Sequence, residues 1–312
     1  ADRDGAPKFL LLGHLDTVPV SDANPPRLDA DFVYGLGASD MKGGDALILD
    51  TLAWAVAGHS PYVVAIGLYA AEEGPFEQSG LPDLKAAAGA WFDDVDLAVC
   101  FEPTDNAIEL GCLGTVHAWV RFHGERAHSA RPWQGRNAIH MAAPFLARLA
   151  DIAPREVVQD GLSFVEVASA TMVRYDGARN VVPGGFDLNV NLRFAPDRSE
   201  ADAVQYVERL VDEALGPGAR AEGRVAIEVT DLAPAGRVCR ANPHVQRLEE
   251  ALGDGAVVRS KQAWTDVGRL ASWGLDAINF GPGSGAQAHQ VGEHASRTQL
   301  AQAQAIVRKW LG

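Results

Sequence analysis

Cysteine is scarce in this chain. The three residues, Cys100, Cys112 and Cys239, are an odd number without CxxC spacing, which excludes a disulfide framework. They read as packing residues of a protein from a reducing compartment, and a cytoplasmic location is expected. Positive charge is also short. Lys and Arg number 27 against 41 Asp and Glu, a net charge of -14. Such a balance argues against nucleic acid or an anionic membrane surface as a partner. No run of 18 apolar residues exists, so no membrane-spanning helix is expected. Ala1 to Lys8 are polar and do not read as a signal peptide. No GKS or GKT triplet and no GxSxG elbow is present, which leaves nucleotide hydrolysis and serine hydrolysis without support. Gly35-Leu36-Gly37 starts a dinucleotide fingerprint, but Asp40 stands where its third glycine belongs.

What is present is a large apolar fraction, 47% of 312 residues, enough for two domains or one domain with an insertion. Phe9-Leu10-Leu11-Leu12-Gly13 reads as a buried parallel strand. A loop is expected over 20–34, then a glycine-rich turn over 35–44 leading into an apolar helix over 45–55. Buried strands follow at 62–71 and 95–101. Alternation of strands and helices predicts a largely parallel α/β sheet. Near Gly114 the pattern changes. Strands over 115–122, 165–174, 185–194 and 224–231, with helices over 137–149 and 199–215, give the order β-α-β-β-α-β of a ferredoxin-like unit. After Pro234 the α/β character returns, with a strand at 276–280 and a final helix at 296–310. The expected boundaries are 1–114 and 233–312 for the α/β domain and 115–232 for the insertion.

Strand ends in the first and last parts deliver acids and imidazoles. His14 and Asp16 follow the first strand and share a face, because alternate residues do. Asp40 lies in the glycine-rich turn, Glu72 and Glu73 follow the second strand, Glu102 the third, and His289 the glycine loop after the last. In a parallel sheet these ends converge on one edge. Several carboxylates cannot stay ionised in one cleft without counter-charge. A pair of divalent cations supplies it, and mixed His and carboxylate ligation suits zinc, with cobalt or manganese as alternatives. His14, Asp40 and Glu102 can serve one metal, and Asp40, Glu73 and His289 the other. Asp16 is left to accept the second N–H of His14. Glu72, free and next to a ligand, is the expected general base.

The chain resembles the M20 metallopeptidase and amidohydrolase family. The motifs are Gly13-His14-Leu15-Asp16-Thr17-Val18-Pro19, Gly37-Ala38-Ser39-Asp40-Met41-Lys42-Gly43, Glu72-Glu73-Gly74, Glu102-Pro103-Thr104, Ala127-His128-Ser129-Ala130-Arg131-Pro132, Asn180-Val181-Val182-Pro183 and Ala288-His289-Gln290, in family order. The resemblance implies a zinc-bearing mostly parallel α/β catalytic domain with an inserted ferredoxin-like α+β lid and dimerisation domain. It implies the metal and base roles just assigned. It further implies that His128 reaches the partner subunit's active site in a homodimer built through the lid. Asn180 and Arg193 would hold a substrate carboxylate, and Thr265 and Gly283 would be substrate-loop positions.

Stretches such as Leu110-Gly111-Cys112-Leu113-Gly114 and Ala263-Trp264-Thr265-Asp266-Val267 place it nearest the desuccinylase branch, which removes succinate from N-succinyl-LL-2,6-diaminopimelate. Other branches deacylate acetylornithine or N-acyl amino acids, or cleave dipeptides, and a catalytically silent binding protein is the reading from a different class. Other desuccinylases carry an arginine where this chain has Cys112 and Leu113, so one carboxylate contact is missing. Family members usually have several dozen residues before the first strand, against eight here.

Overall fold

The computed structural model describes residues 5–19 and 25–312. The sequence readings that touch residues 1–4 and 20–24 lie outside them. The chain divides into two compact units, one comprising residues up to Cys112, Gln159–Leu162 and Gly236–Gly312, the other Leu113–Val158 and Ser163–Ala235.

In the first unit Lys8–His14 is an interior strand of a six-stranded sheet. It pairs in parallel with Val63–Tyr69 on one side and Leu97–Cys100 on the other. Phe9 to Leu12 are buried, as a strand covered on both faces requires. Leu10 and Leu12 pack with Ala65, Tyr69, Ala98 and Cys100. Phe9 meets the rings of Tyr62 and Trp310 edge-on. Phe9, Leu10 and Leu12 each contribute on the order of 1.5–3 kcal/mol by leaving water. Beyond Leu97–Cys100 come Ala277–Asn279, Ile108–Leu110 and Val258–Ser260. The last two are parallel to each other, and Ile108–Leu110 runs antiparallel to Ala277–Asn279. The sheet is therefore mostly parallel, as expected.

The short strands at Ile108–Leu110 and Val258–Ser260 carry no sequence signal. Three residues are too few for a period, and Glu109 is a charge at a buried position. Arg259 at 2.8 Å and Lys261 at 2.9 Å neutralise it. Helix Gly43–Trp54 follows the glycine-rich turn. A Cβ on Gly44 would stand 2.1 Å from the Phe101 carbonyl oxygen, so glycine is what lets the helix start press against that strand end. Helix Pro243–Leu252 was not among the expected elements, although Asn242 caps it and Pro243 occupies its first position.

The second unit is an antiparallel sheet in the order Val225–Ala233, Gly114–His123, Gly185–Phe194, Leu162–Tyr175, with Arg155–Gln159 at the edge. The first four strands have the 4-1-3-2 order of a ferredoxin-like unit. The edge strand is an addition, and Asp160-Gly161, with φ 47 and 78, makes the hairpin turn that announces it. Helices Ala138–Ala150 and Glu200–Leu215 cover one face. Ala142, Phe145, Leu210 and Val211 pack on Val120, Phe122, Leu188 and Val190. A capping box of Ser199 and Asp202 starts the second helix.

Candidate active site

Four of the expected ligands converge in the first unit. His14 ends its strand and is 1% exposed. Its Nε2 lies 3.1 Å from Asp40 Oδ1. The other oxygen of Asp40 faces His289, with Nε2 to Oδ2 at 3.6 Å. Asp40 thus presents one oxygen to each imidazole. His289 Nε2 is also 3.1 Å from Glu73 Oε2. Single ligand atoms of His14, Asp40 and Glu73 all lie within 4.8 Å of one another. The peptide between Asp40 and Met41 is cis. His289 holds φ at 64, a left-handed conformation that L residues adopt at a cost of roughly 1–3 kcal/mol.

Glu102 and Glu72 complete the acid cluster. Burial, then the Asp40 charge, pushes the Glu102 carboxyl up to about 7. Burial, then the charges of Glu102 and Asp266, pushes Glu72 well above the carboxylate range. Glu73 is raised by burial and by Asp40. His14 shows the converse. Burial opposes its charge, yet the hydrogen bond with Asp40 and the charges of Glu102 and Glu72 hold it up to about 11. The cluster is short of positive charge, and the buried His14 imidazole is driven to keep a proton. A divalent cation ligated by imidazole and carboxylate would replace that proton and lower the carboxyls together. The donor set fits such an ion.

Asp16 does something other than expected. The Asp16 main-chain oxygen lies 3.1 Å from His14 Nδ1, while its carboxylate is 3.8 Å away. The carboxylate instead accepts the backbone N–H groups of Glu72 and Glu73, one on each oxygen, at 3.2 Å. It holds the turn that carries the proposed base and a proposed ligand.

Five residues beyond the predicted set, four of them buried and Lys261 half-buried, support the loops around the site. Tyr69, the last residue of its strand, donates to Asp266 at 2.6 Å. Arg269 donates to the other oxygen of Asp266 at 2.8 Å and, at 2.5 Å, to the carbonyl of Phe76, with its guanidinium 3.7 Å from that ring. Both ends of the Ala70–Pro75 segment are thereby tied to one ion pair. Lys261 sits against Glu109 at 2.9 Å, and its charge also acts on Glu102. Glu293, 3% exposed, accepts the N–H groups of Gly37, Ser39 and Asp40. Asp266 lies in the Ala263–Val267 stretch singled out in the sequence; no motif or periodicity marks the other four.

Of the expected substrate-loop positions, Thr265 is 3% exposed and Gly283 is buried. A Cβ on Gly283, at φ 91, would stand 2.6 Å from Ser39 Oγ. His128, Asn180 and Arg193 belong to the second unit. His128 lies in a short strand opposite Val181, is exposed, and accepts the Ala130 N–H on Nδ1 at 3.0 Å. Asn180 is exposed and its carbonyl accepts from the Ser129 N–H. Arg193 donates to Asn191 at 3.2 Å. A cavity of about 300 Å³ in this unit, lined by Arg155, Glu166, Arg198 and Tyr206 among others, contains none of the predicted site residues. Its Glu166 pairs with both Arg155 and Arg198.

Among the described residues no helix is long and apolar enough to cross a membrane. The profile of Peptidase family M20/M25/M40 matches residues 10–312. A protein of Mycobacterium tuberculosis named "Putative succinyl-diaminopimelate desuccinylase DapE" is 38% identical over 305 residues, covering 98% of this chain and 82% of that protein. The "Succinyl-diaminopimelate desuccinylase" of Corynebacterium glutamicum is 34% identical over 313 residues, covering 99% and 82%. The fold is shared with the aminopeptidase PepT of Bacillus cereus, at a TM-score of 0.77, 18% identity, and coverage of 100% of this chain and 82% of that one. It is shared as well with an M20 family metallo-carboxypeptidase of Sulfolobus solfataricus, at a TM-score of 0.76, 16% identity, and coverage of 99% and 86%. The chain belongs to the M20/M25/M40 peptidase family of metal-dependent amidohydrolases.

Proposed function

We propose that this chain is a cytoplasmic N-succinyl-LL-2,6-diaminopimelate desuccinylase, hydrolysing the amide to succinate and the free diamine. The observation that carries a hydrolytic reading is Asp40, with one oxygen toward His14 and the other toward His289, and the half-buried Glu72, whose carboxyl its neighbourhood raises. The 38% and 34% identical relatives support the choice of substrate. Two zinc ions held by His14, Asp40, Glu73, Glu102 and His289 would polarise the amide carbonyl and make water acidic. Glu72 takes the proton of the attacking water and delivers it to the departing amine nitrogen, so the carboxyl ends as it began. Its environment favours that role, because burial raises its affinity for a proton. Asp16 keeps Glu72 and Glu73 in register through their amides.

The ferredoxin-like unit serves as lid and dimerisation domain in a homodimer. His128 donates to the developing oxyanion in the partner's site. Arg193 and Asn180 hold a substrate carboxylate, Arg193 through its planar fork. Thr265 and Gly283, both buried, shape the loops at the substrate position. The test compares kcat/KM of the zinc-loaded protein on succinyl-diaminopimelate, acetylornithine and a panel of N-acyl amino acids. Preference for the succinylated substrate is expected. Preference for acetylornithine overturns the substrate, and zinc binding without hydrolysis of any of them overturns the enzyme reading.

A further inference from the structure

The glycine loop and the segment after it, Ser284 to Glu293, carry His289. The segment Gly37 to Asp40 carries the carboxylate that faces it. The two are fastened at both ends. At one end Ser39 Oγ donates to the Ser284 carbonyl at 3.0 Å and accepts the Ser284 N–H at 2.8 Å. At the other end the Glu293 carboxylate accepts three N–H groups: Gly37 at 2.8 Å on one oxygen, Ser39 at 2.8 Å and Asp40 at 2.9 Å on the other. The Glu293 carbonyl accepts the Gly35 N–H at 3.1 Å. Ser39 is fully buried and Glu293 nearly so. Strand pairing of His294–Ser296 with Phe32–Tyr34 anchors Glu293 from its other side.

A buried carboxylate that accepts three amides makes charge-assisted bonds, about twice as strong as neutral ones. The converging amides form an anion-binding concavity of the kind backbone turns make. Here the anion is a side chain of the protein, and it bonds the amide of Asp40 itself. Its separation in sequence, 253 residues from Asp40, means that it closes one ligand-bearing loop onto another.

We propose that Glu293 is a positioning residue of the metal centre. By bonding the Gly37, Ser39 and Asp40 amides it sets the approach of the Asp40 carboxylate to His289. This rests on the metal-site reading above. Glutamine at 293 has one acceptor oxygen and one NH2 group. The NH2 would face a backbone N–H, so at least one of the three bonds is lost and a donor meets a donor. Partners of this kind behind metal ligands are worth roughly 10- to 100-fold in metal affinity.

The experiment is a titration of metal-free protein with zinc against a competing chelator, for wild type, E293Q and E166Q. Glu166 is a comparably buried carboxylate, bonded by Arg155 and Arg198 in the ferredoxin-like unit. It controls for lost stability. E293Q is expected to bind zinc roughly 10- to 100-fold more weakly, while E166Q keeps wild-type affinity. Wild-type affinity in folded E293Q overturns the proposal, and so does an equal loss in E166Q. If E293Q does not fold without metal, E293D, which keeps the charge and loses the reach, is read by the same titration. Wild-type affinity in E293D then overturns it. Absence of zinc binding in the wild type overturns the metal-site reading instead.

Discussion

Asp16→Asn separates two roles for one carboxylate. If the side chain orients His14, the substitution disturbs the imidazole. If it holds the turn after Val63–Tyr69, the imidazole is untouched and the Glu72-Glu73 pair loosens. The distances favour the second. The Asp16 carbonyl, which the substitution keeps, is 3.1 Å from His14 Nδ1, whereas the carboxylate is 3.8 Å away and is engaged at 3.2 Å by two amides. Asparagine keeps one acceptor and turns an NH2 toward the second amide. The loss is one charge-assisted hydrogen bond, about 1.5–3 kcal/mol. Asp16 is 25% exposed on its side chain, so water relieves part of this and the lower end applies. At about 1.4 kcal/mol per decade, kcat/KM on succinyl-diaminopimelate should fall about tenfold. The 15N shifts of the His14 ring should be those of the wild type. An unchanged kcat/KM, or a changed His14 tautomer, refutes the reasoning.

Glu72→Gln should lower kcat by roughly 10²- to 10⁴-fold while metal analysis finds wild-type zinc content. Arg269→Met leaves Asp266 buried without its cation, both being under 5% exposed, and should cost roughly 3–5 kcal/mol in urea unfolding; a change below about 1 kcal/mol would contradict the clamp. Glu166 gives a pH dependence. Against the push of burial, hydrogen bonds from Arg155 and Arg198 hold its carboxyl below the ordinary 4.5. The folded state therefore gains stability that is complete above that value and is lost as the pH falls through the native one. In acid titration followed by circular dichroism, E166Q should lack this portion of the pH dependence. Exhaustive chelation should abolish hydrolysis, and added zinc should restore it; activity that survives metal removal rules out the metal site.

The fold was legible where local periodicity is strong. The apolar runs at Phe9–Leu12 and Leu97–Cys100 and the amphipathic helices at Ala138–Ala150 and Glu200–Leu215 lie where hydrophobic pattern puts them. Ile108–Leu110 was not legible, because Glu109 breaks the apolar run and its compensation comes from Arg259 and Lys261, about 150 residues away. The Arg155–Gln159 strand was not among the expected elements, although the Asp160-Gly161 turn pair that ends it is a hairpin signal.

The sequence by itself determined the inventory of the candidate site. His14, Glu72, Glu73 and Glu102 follow strand ends, Asp40 lies in a glycine-rich turn and His289 after a glycine loop, and the periodicity and turn signals that place them are local properties of the chain. Tertiary structure alone decided how they are held. The Asp16 carboxylate takes the Glu72 and Glu73 amides, Arg269 and Asp266 clamp the segment that carries Glu72, and Glu293 closes the His289 loop on Asp40. The physical reason is that a buried carboxylate must find donors, but nothing in its own neighbourhood of the sequence says which amides the fold will bring to it.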